Sequence, residues 1–152
     1  MNIISVSERQ LYDNLYKQIT SLNGSIMNLG QLLFYAAQKY PNNSALIFQD
    51  RIVTYKQLFY YASAFAQKLK EKGVKPRDRV LLFFENSIEF YVGYYAIVQN
   101  GAVVAPLNTF LKERELQHII NDAQPTMMVA SQALLDKLMQ DHIDTKVPVI
   151  TE

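Results

Sequence analysis

Three residue patterns in this 152-residue chain bear directly on chemistry: glycines that could cradle a phosphate, hydroxyls and imidazoles that could form a nucleophilic set, and an acid-amide-hydroxyl triplet ending an apolar run. The five glycines, at 24, 30, 73, 93 and 101, fit neither G-x-G-x-x-G nor G-x-x-x-x-G-K-S/T, so no nucleotide fingerprint is present. Ser63, Ser87 and Ser131 have no G-x-S-x-G setting, and no Ser, His and carboxylate set can be nominated. His118 sits among Leu116, Ile119 and Ile120, and His142 between Asp141 and Asp144. Neither has a second ligand at metal spacing, so both read as structural or surface residues. The absence of cysteine removes disulfides, thiolate metal sites and thiol nucleophiles together. Glu85-Asn86-Ser87 follows a predicted strand, where open α/β sheets place ligands, and could contact an anion or hydroxyl at a helix N-terminus. The favoured reading is an ordinary N-cap, with Asn86 and Glu89 forming a capping box. Tyr55, Tyr60, Tyr61, Tyr91, Tyr94 and Tyr95, with Phe59, Phe65 and Phe90, suggest ring stacking, but helical spacing and neutral charge favour core or interface packing. No catalytic, cofactor-binding or metal-ligating residue is assigned.

The elements that must position these residues follow from periodicity. Ser7 with Gln10 opens a helix over about 8–21, carrying Leu11, Leu15 and Ile19 with Tyr12 and Tyr16, and Asn23-Gly24 ends it. Residues 1–27 are expected to be a helical extension, with the α/β domain over 28–152. Asn28 with Gln31 starts a second helix whose apolar stripe is read as Leu29, Leu32, Leu33, Ala36 and Tyr40, stopped by Pro41. The run ALIFQ, then Asp50-Arg51, then Ile52-Val53 predicts a small hairpin. Thr54 with Gln57 caps a third helix, with Leu58, Tyr61, Ala62, Phe65 and Leu69 on one face and Gly73 closing it. From Arg79 onward, short continuous apolar runs (VLLFF, AVVAPL, TMMVA, VPVI) alternate with helical patterns, as for strands buried on both faces of a parallel sheet. The predicted order is β-α-β-α-β-α-β with right-handed crossovers. Pro148 cannot donate to a ladder, which puts the last strand at an edge or makes Pro148 its first residue. The fold class is α/β: a Rossmann-like parallel sheet with helices on both faces, preceded by N-terminal helices and a hairpin.

Composition agrees with this class. Hydrophobic residues make up 49% and charged residues 19%, enough for one sizeable core and too little charge for a disordered chain. A net charge of +1 provides no electrostatic footprint for nucleic acid. No apolar run approaches the ~18 residues of a membrane span, and no signal sequence is recognised, so the expected location is cytoplasmic.

The stretch from Asn28 to Ser131 resembles the N-terminal region of the adenylate-forming (AMP-binding) superfamily, which includes acyl-CoA synthetases, peptide-synthetase adenylation domains and luciferases. The resembling segments are NLGQLLFYAAQKYPNNSALIFQD, VTYKQL, LKEKGVKPRDRVLLFFENSIEFYVGYYAIVQNGAVVAPLN and LKERELQHIINDAQPTMMVAS. Gly73, Asp78 and Val80 look like the family's G-V-x-x-G-D-x-V lead into its first buried strand, with Arg77 in place of the usual glycine. Asn86, Glu89 and Phe90 look like its asparagine-capped helix, and Gly101-Ala102 with Pro106-Leu107-Asn108 like its next strand, with Thr109 where proline is common. The resemblance implies a larger enzyme that activates a carboxylic acid with ATP and magnesium to an acyl-adenylate and then transfers the acyl group to a thiol such as coenzyme A. The acyl-CoA branch, with a medium- or long-chain fatty acid, is the expected one. The family's phosphate loop, ribose contacts and C-terminal lysine would lie beyond Glu152, so none of its catalytic residues carries over and this chain alone is expected to bind no cofactor and to be inactive. The expected partner is the remainder of the same enzyme, or a second copy, through the apolar sheet and helix surface. The alternative is a stand-alone scaffold or oligomerisation module that kept the fold and lost the chemistry.

Overall fold

The computed structural model describes residues 28–140 and 147–151. The helix expected over 8–21 and His142 lie outside the described residues. The elements are α1 (Leu29–Lys39), β1 (Ser44–Phe48), β2 (Arg51–Thr54), α2 (Tyr55–Glu71), β3 (Arg79–Phe83), α3 (Ile88–Gln99), β4 (Val103–Pro106), α4 (Glu113–Ala123), β5 (Met127–Ala130), α5 (Gln132–Gln140) and β6 (Val149–Thr151). Among them no helix is long and apolar enough to cross a membrane.

Helix boundaries follow the local chemistry. At α1 the Asn28 side chain accepts from Gln31 N–H at 2.9 Å while Gln31 accepts from Asn28 N–H at 2.8 Å, and Thr54 and Gln57 repeat this reciprocal pair at α2. Two helices close alike. After α2, Gly73 N–H reaches Lys70 O and Val74 N–H reaches Leu69 O; after α3, Gly101 N–H reaches Val98 O and Ala102 N–H reaches Ile97 O. Gly73 (φ 96) and Gly101 (φ 70) adopt the left-handed conformation that these Schellman closures require.

Three sequence expectations shift by a residue or a face. The hairpin turn falls at Gln49-Asp50 rather than Asp50-Arg51, because Phe48 pairs with Arg51 and draws it into the ladder, leaving Gln49 at φ 52. The cap of α3 is Ser87, whose hydroxyl accepts from Phe90 N–H at 3.1 Å, and not Asn86. Ile88 is buried as the first helical residue, and the Glu89 carboxylate that would complete a box with Asn86 is held by Arg51. In α1 the buried face runs through Gly30, Leu33, Phe34 and Ala37, whereas Leu29, Leu32 and Tyr40 stand about half exposed. Close approach decides the rotation: a Cβ on Gly30 would lie 3.1 Å from Gln99 Cα, so only the glycine face can meet α3 this closely.

The hairpin β1-β2 is antiparallel, and the main sheet has the order β4-β3-β5-β6, all parallel. β3 is central, with Val80 beside Val104 on one side and Met127 on the other. β6 is at an edge, as Pro148 implied, and Pro148 contributes only its carbonyl, accepting from Met128 N–H at 2.9 Å. Val80, Leu82, Met127 and Val129 pack on one face with Ala66, Leu69, Ala96 and Ile97 of α2 and α3. Leu81, Phe83, Met128 and Ala130 pack on the other with Leu116, Ile120, Leu134 and Leu138 of α4 and α5. Strands covered on both faces have no polar side to alternate, which is why they read as continuous apolar runs. A third cluster joins α1, the hairpin and α2 through Phe34, Val53, Leu58 and Phe59. Of the stripe predicted for α2, Leu58, Ala62 and Leu69 are buried and Phe65 is partly covered, while Tyr61 turns outward.

Candidate functional site

The sheet topology brings chemistry-bearing side chains from distant segments together at one end of the strands. From β3 the chain turns into α3 on one face; from β5, which pairs directly with β3, it turns into α5 on the opposite face. The two connections diverge to opposite faces, so the carboxyl ends of β3 and β5 form a topological switch point, the crevice position where open α/β sheets bind ligands. Glu85, Asn86 and Ser87 form one lip and Ser131 the other.

The Ser131 hydroxyl donates to Glu85 Oε2 at 3.2 Å and accepts from Leu134 N–H at 3.3 Å, capping α5. Ser131 N–H bonds Phe83 O at 3.1 Å, which seats this residue against the end of β3. Ser87 is committed as the cap of α3, and Glu85 and Asn86 are exposed. The lip thus offers a carboxylate and an amide to solvent, with both hydroxyls engaged. It can contact a polar group but lacks an imidazole or second acid for proton transfer.

Beside it lies an open groove of about 300 Å³, lined by Tyr61, Phe65, Phe84, Ile88, Val92 and Gly93 and bridged by Arg51 and Glu89. Arg51 Nη1 donates to Glu89 Oε1 at 2.8 Å, tying the hairpin to the start of α3. Partial burial raises the Glu89 carboxyl, but its own backbone N–H, the guanidinium and the Ser87 hydroxyl together outweigh that effect and hold the pKa below the ordinary 4.5. This is a tether rather than a poised acid. Sequence reasoning missed it because Arg51 and Glu89 are 38 residues apart and neither sits in a motif.

The remaining candidates are not brought to the crevice. Ser63 is buried between α2 and α3, donating to Gln99 Oε1 at 3.1 Å. His118 is exposed on α4, in keeping with a surface role, and His142 lies outside the described residues. The aromatic residues mostly pack: Phe59 is in the core, and Phe65, Phe90, Tyr94, Tyr55 and Tyr95 lean on it, with Tyr61 and Tyr91 exposed. Burial, followed by the neighbouring Tyr94, Tyr55 and Tyr91, pushes the Tyr95 hydroxyl above its ordinary pKa. Among the described residues no three acidic or imidazole groups could hold a metal ion. No glycine-rich phosphate loop is present either, so these residues do not fit ATP, magnesium or the diphosphate of coenzyme A.

Comparison with known proteins agrees with the topology. A profile described as AMP-binding enzyme matches residues 33–152. A mycosubtilin synthase of Bacillus subtilis is 26% identical over 93% of this chain, and bacitracin synthase 3 of Bacillus licheniformis is 31% identical over 70%. The chain spans only 5% and 2% of those proteins. Among solved structures, the O-succinylbenzoate coenzyme A synthetase of Bacillus subtilis in complex with AMP superposes with a TM-score of 0.70 at 26% identity, covering 78% of this chain and 30% of that one. The profile takes in the hairpin, the central sheet and both helical layers, so the fold and the sequence point the same way: the chain belongs to the AMP-binding enzyme family, and its architecture is that of the N-terminal part of an adenylate-forming enzyme.

Proposed function

We propose that this chain serves as the N-terminal α/β subdomain of an ATP-dependent ligase that activates a carboxylic acid as its acyl-adenylate and passes the acyl group to a thiol. The observation that carries this reading is the family match over 33–152 on a sheet of matching topology. On this reading the subdomain's contribution is positional. It presents the β3-β5 crevice as one wall of a larger site, while the groups that hold phosphate and metal come from elsewhere, because catalysis of adenylation depends on positioning and charge stabilisation that the described residues do not provide.

Coenzyme A as acceptor, in an acid-thiol ligase, is supported by the likeness to the O-succinylbenzoate coenzyme A synthetase. A second reading, activation of an amino acid for peptide assembly, is favoured by the relatives named as synthases of mycosubtilin and bacitracin. No observation selects a fatty acid as substrate. ATP-pyrophosphate exchange separates these readings when the protein that carries this chain is offered fatty acids, aryl acids and amino acids in turn. Exchange driven by a fatty or aryl acid, followed by thioester formation on coenzyme A, is the expected result. Exchange driven only by amino acids would transfer the assignment to peptide assembly. The 152-residue chain by itself is expected to give no exchange above background, and turnover by it would overturn the positional role.

A further inference from the structure

Charge is not spread evenly along the chain. Six of its fifteen basic residues fall within the twelve positions from Lys68 to Arg79, against two of its fourteen acidic ones, so the other 140 residues carry nine basic and twelve acidic side chains. The net charge of +1 conceals this division. The basic segment comprises the last turn of α2, its Gly73 closure and the lead into β3. From Lys70 to Arg77 every residue but Val74 is exposed, as is Arg79. Lys68 lies over the Phe65 ring, 5.8 Å from its centre. The two acids are engaged by amides, Glu71 by Gln67 Nε2 at 2.9 Å and Asp78 by Lys75 N–H at 2.8 Å. Among the described residues, Lys70, Lys72, Lys75, Arg77 and Arg79 form no ion pair. Support of the helix accounts for part of this. Lys70 and Lys72 suit the negative carboxyl end of α2, but that field fades within the last turn and does not reach Lys75, Arg77 or Arg79. Arg77, moreover, keeps a long side chain at φ 72, where glycine is less strained, and a strained position points to a side chain put to use.

We propose that this end of the molecule docks on an anionic bilayer surface, its cations meeting the lipid phosphates. Long, flexible, exposed cations gathered around one connection match a broad and diffuse anionic surface. A single bound phosphate calls instead for a concave site with converging donors, and the groove beside Tyr61 and Phe65 is lined by none of the six. Single-stranded nucleic acid calls for exposed rings on which bases stack, and residues 68–79 contain no aromatic side chain. Val103, 52% exposed and paired in register with Arg79, adds an apolar side chain beside the cations. The segment feeds the amino end of β3, so a bilayer engaged there leaves the crevice at the carboxyl ends of β3 and β5 free.

The test is co-sedimentation of the full chain with vesicles of phosphatidylcholine alone or with about 30% phosphatidylglycerol added, at about 0.1 M salt. Partition into the anionic vesicles should be at least about tenfold stronger and should vanish at about 0.5 M salt. Lys72→Gln, Lys75→Gln and Arg79→Gln together should weaken it on the order of 10²-fold. Lys39→Gln, Lys56→Gln and Arg114→Gln remove the same charge elsewhere and should change it less than about threefold. Arg77→Gly separates binding from folding, since it should weaken partition about fivefold while leaving the chain at least as stable in urea. Equal losses in the two triple variants would reduce the effect to bulk charge, and equal partition into both kinds of vesicle would remove lipid recognition. Tighter binding to polyglutamate or to a DNA duplex than to the anionic vesicles would assign the surface to another polyanion. Each of these three results overturns the proposal.

Discussion

Arg77 occupies a left-handed backbone position (φ 72) that the resembling family fills with glycine. The conformation is imposed by bonds on either side: Arg77 N–H donates to Gly101 O at 2.8 Å, and Lys75 N–H is held by the Asp78 carboxylate at 2.8 Å. A side chain in that region costs about 1–2 kcal/mol, partly offset by the greater freedom of glycine in the unfolded chain. Arg77→Gly should therefore stabilise the protein by about 0.5–1 kcal/mol in urea denaturation, with an unchanged m-value. Glu89 provides a second test. Its carboxyl has a depressed pKa in the folded state, so its stabilising contribution is complete above the unfolded value near 4.5 and is lost as pH falls through the lower folded value. Because the Arg51 partner is largely exposed, the contribution is at most about 1 kcal/mol. Glu89→Gln should flatten that part of the stability profile below about pH 5 and leave the remainder unchanged, as read by melts across the acid range. Within the α2-α3 interface, Gln99 Nε2 is buried without a partner while its Oε1 accepts a hydrogen bond from the Ser63 hydroxyl. Ser63→Ala should cost about 1 kcal/mol in wild type and much less alongside Gln99→Met, a coupling that a double-mutant cycle measures.

At the scale of elements, the approach of α1 to α3 rests on one missing side chain. Gly30→Ala would set a Cβ 3.0 Å from Gln99 Cγ and 3.1 Å from its Cα, so two helices must part. Overpacking of about 1–3 kcal/mol exceeds the roughly 1 kcal/mol that alanine gains over glycine in a helix, and thermal melts should show net destabilisation. The same contact explains what periodicity could and could not reveal. Helix starts at Asn28 and Thr54 were legible because the capping side chains and their partners lie within four residues of each other. The central strands β3 and β5 were legible because cover on both faces leaves continuous apolar runs, and the edge strands β4 and β6 were legible from their apolar runs although Val103 and Val149 are exposed. The rotation of α1 was not, since Leu29-Leu32 and Gly30-Leu33 are equally good apolar spacings and only α3, some 70 residues on, chooses between them. The crevice was half legible: its first lip was located from the end of a strand, but Ser131 and Glu85 are 46 residues apart and nothing local announces their bond.

For the molecule as a whole, the sheet order makes β3 the common neighbour of β4 and β5, with β4 and β6 at the edges. Stability should grade outward from that centre. Native-state hydrogen exchange is expected to find the slowest amides at Leu81 and Leu82, opening only with global unfolding, and the fastest strand amides in β6, which is three residues long and paired on one side. Comparable protection in β6 would mean that its outer edge is covered. The order in which the two faces are sealed also has a consequence in time. As the chain leaves the ribosome, α2, β3, α3 and β4 are complete by Leu107, and one side of the nascent sheet already has its helices. The side bearing Leu81, Phe83 and Ala105 must wait for α4 and α5. That delay is about 30 residues, or a few seconds at about 5–20 residues per second. For those seconds that face stands without its helices, and transiently bare apolar surface of this kind is what makes a newborn chain prone to aggregation.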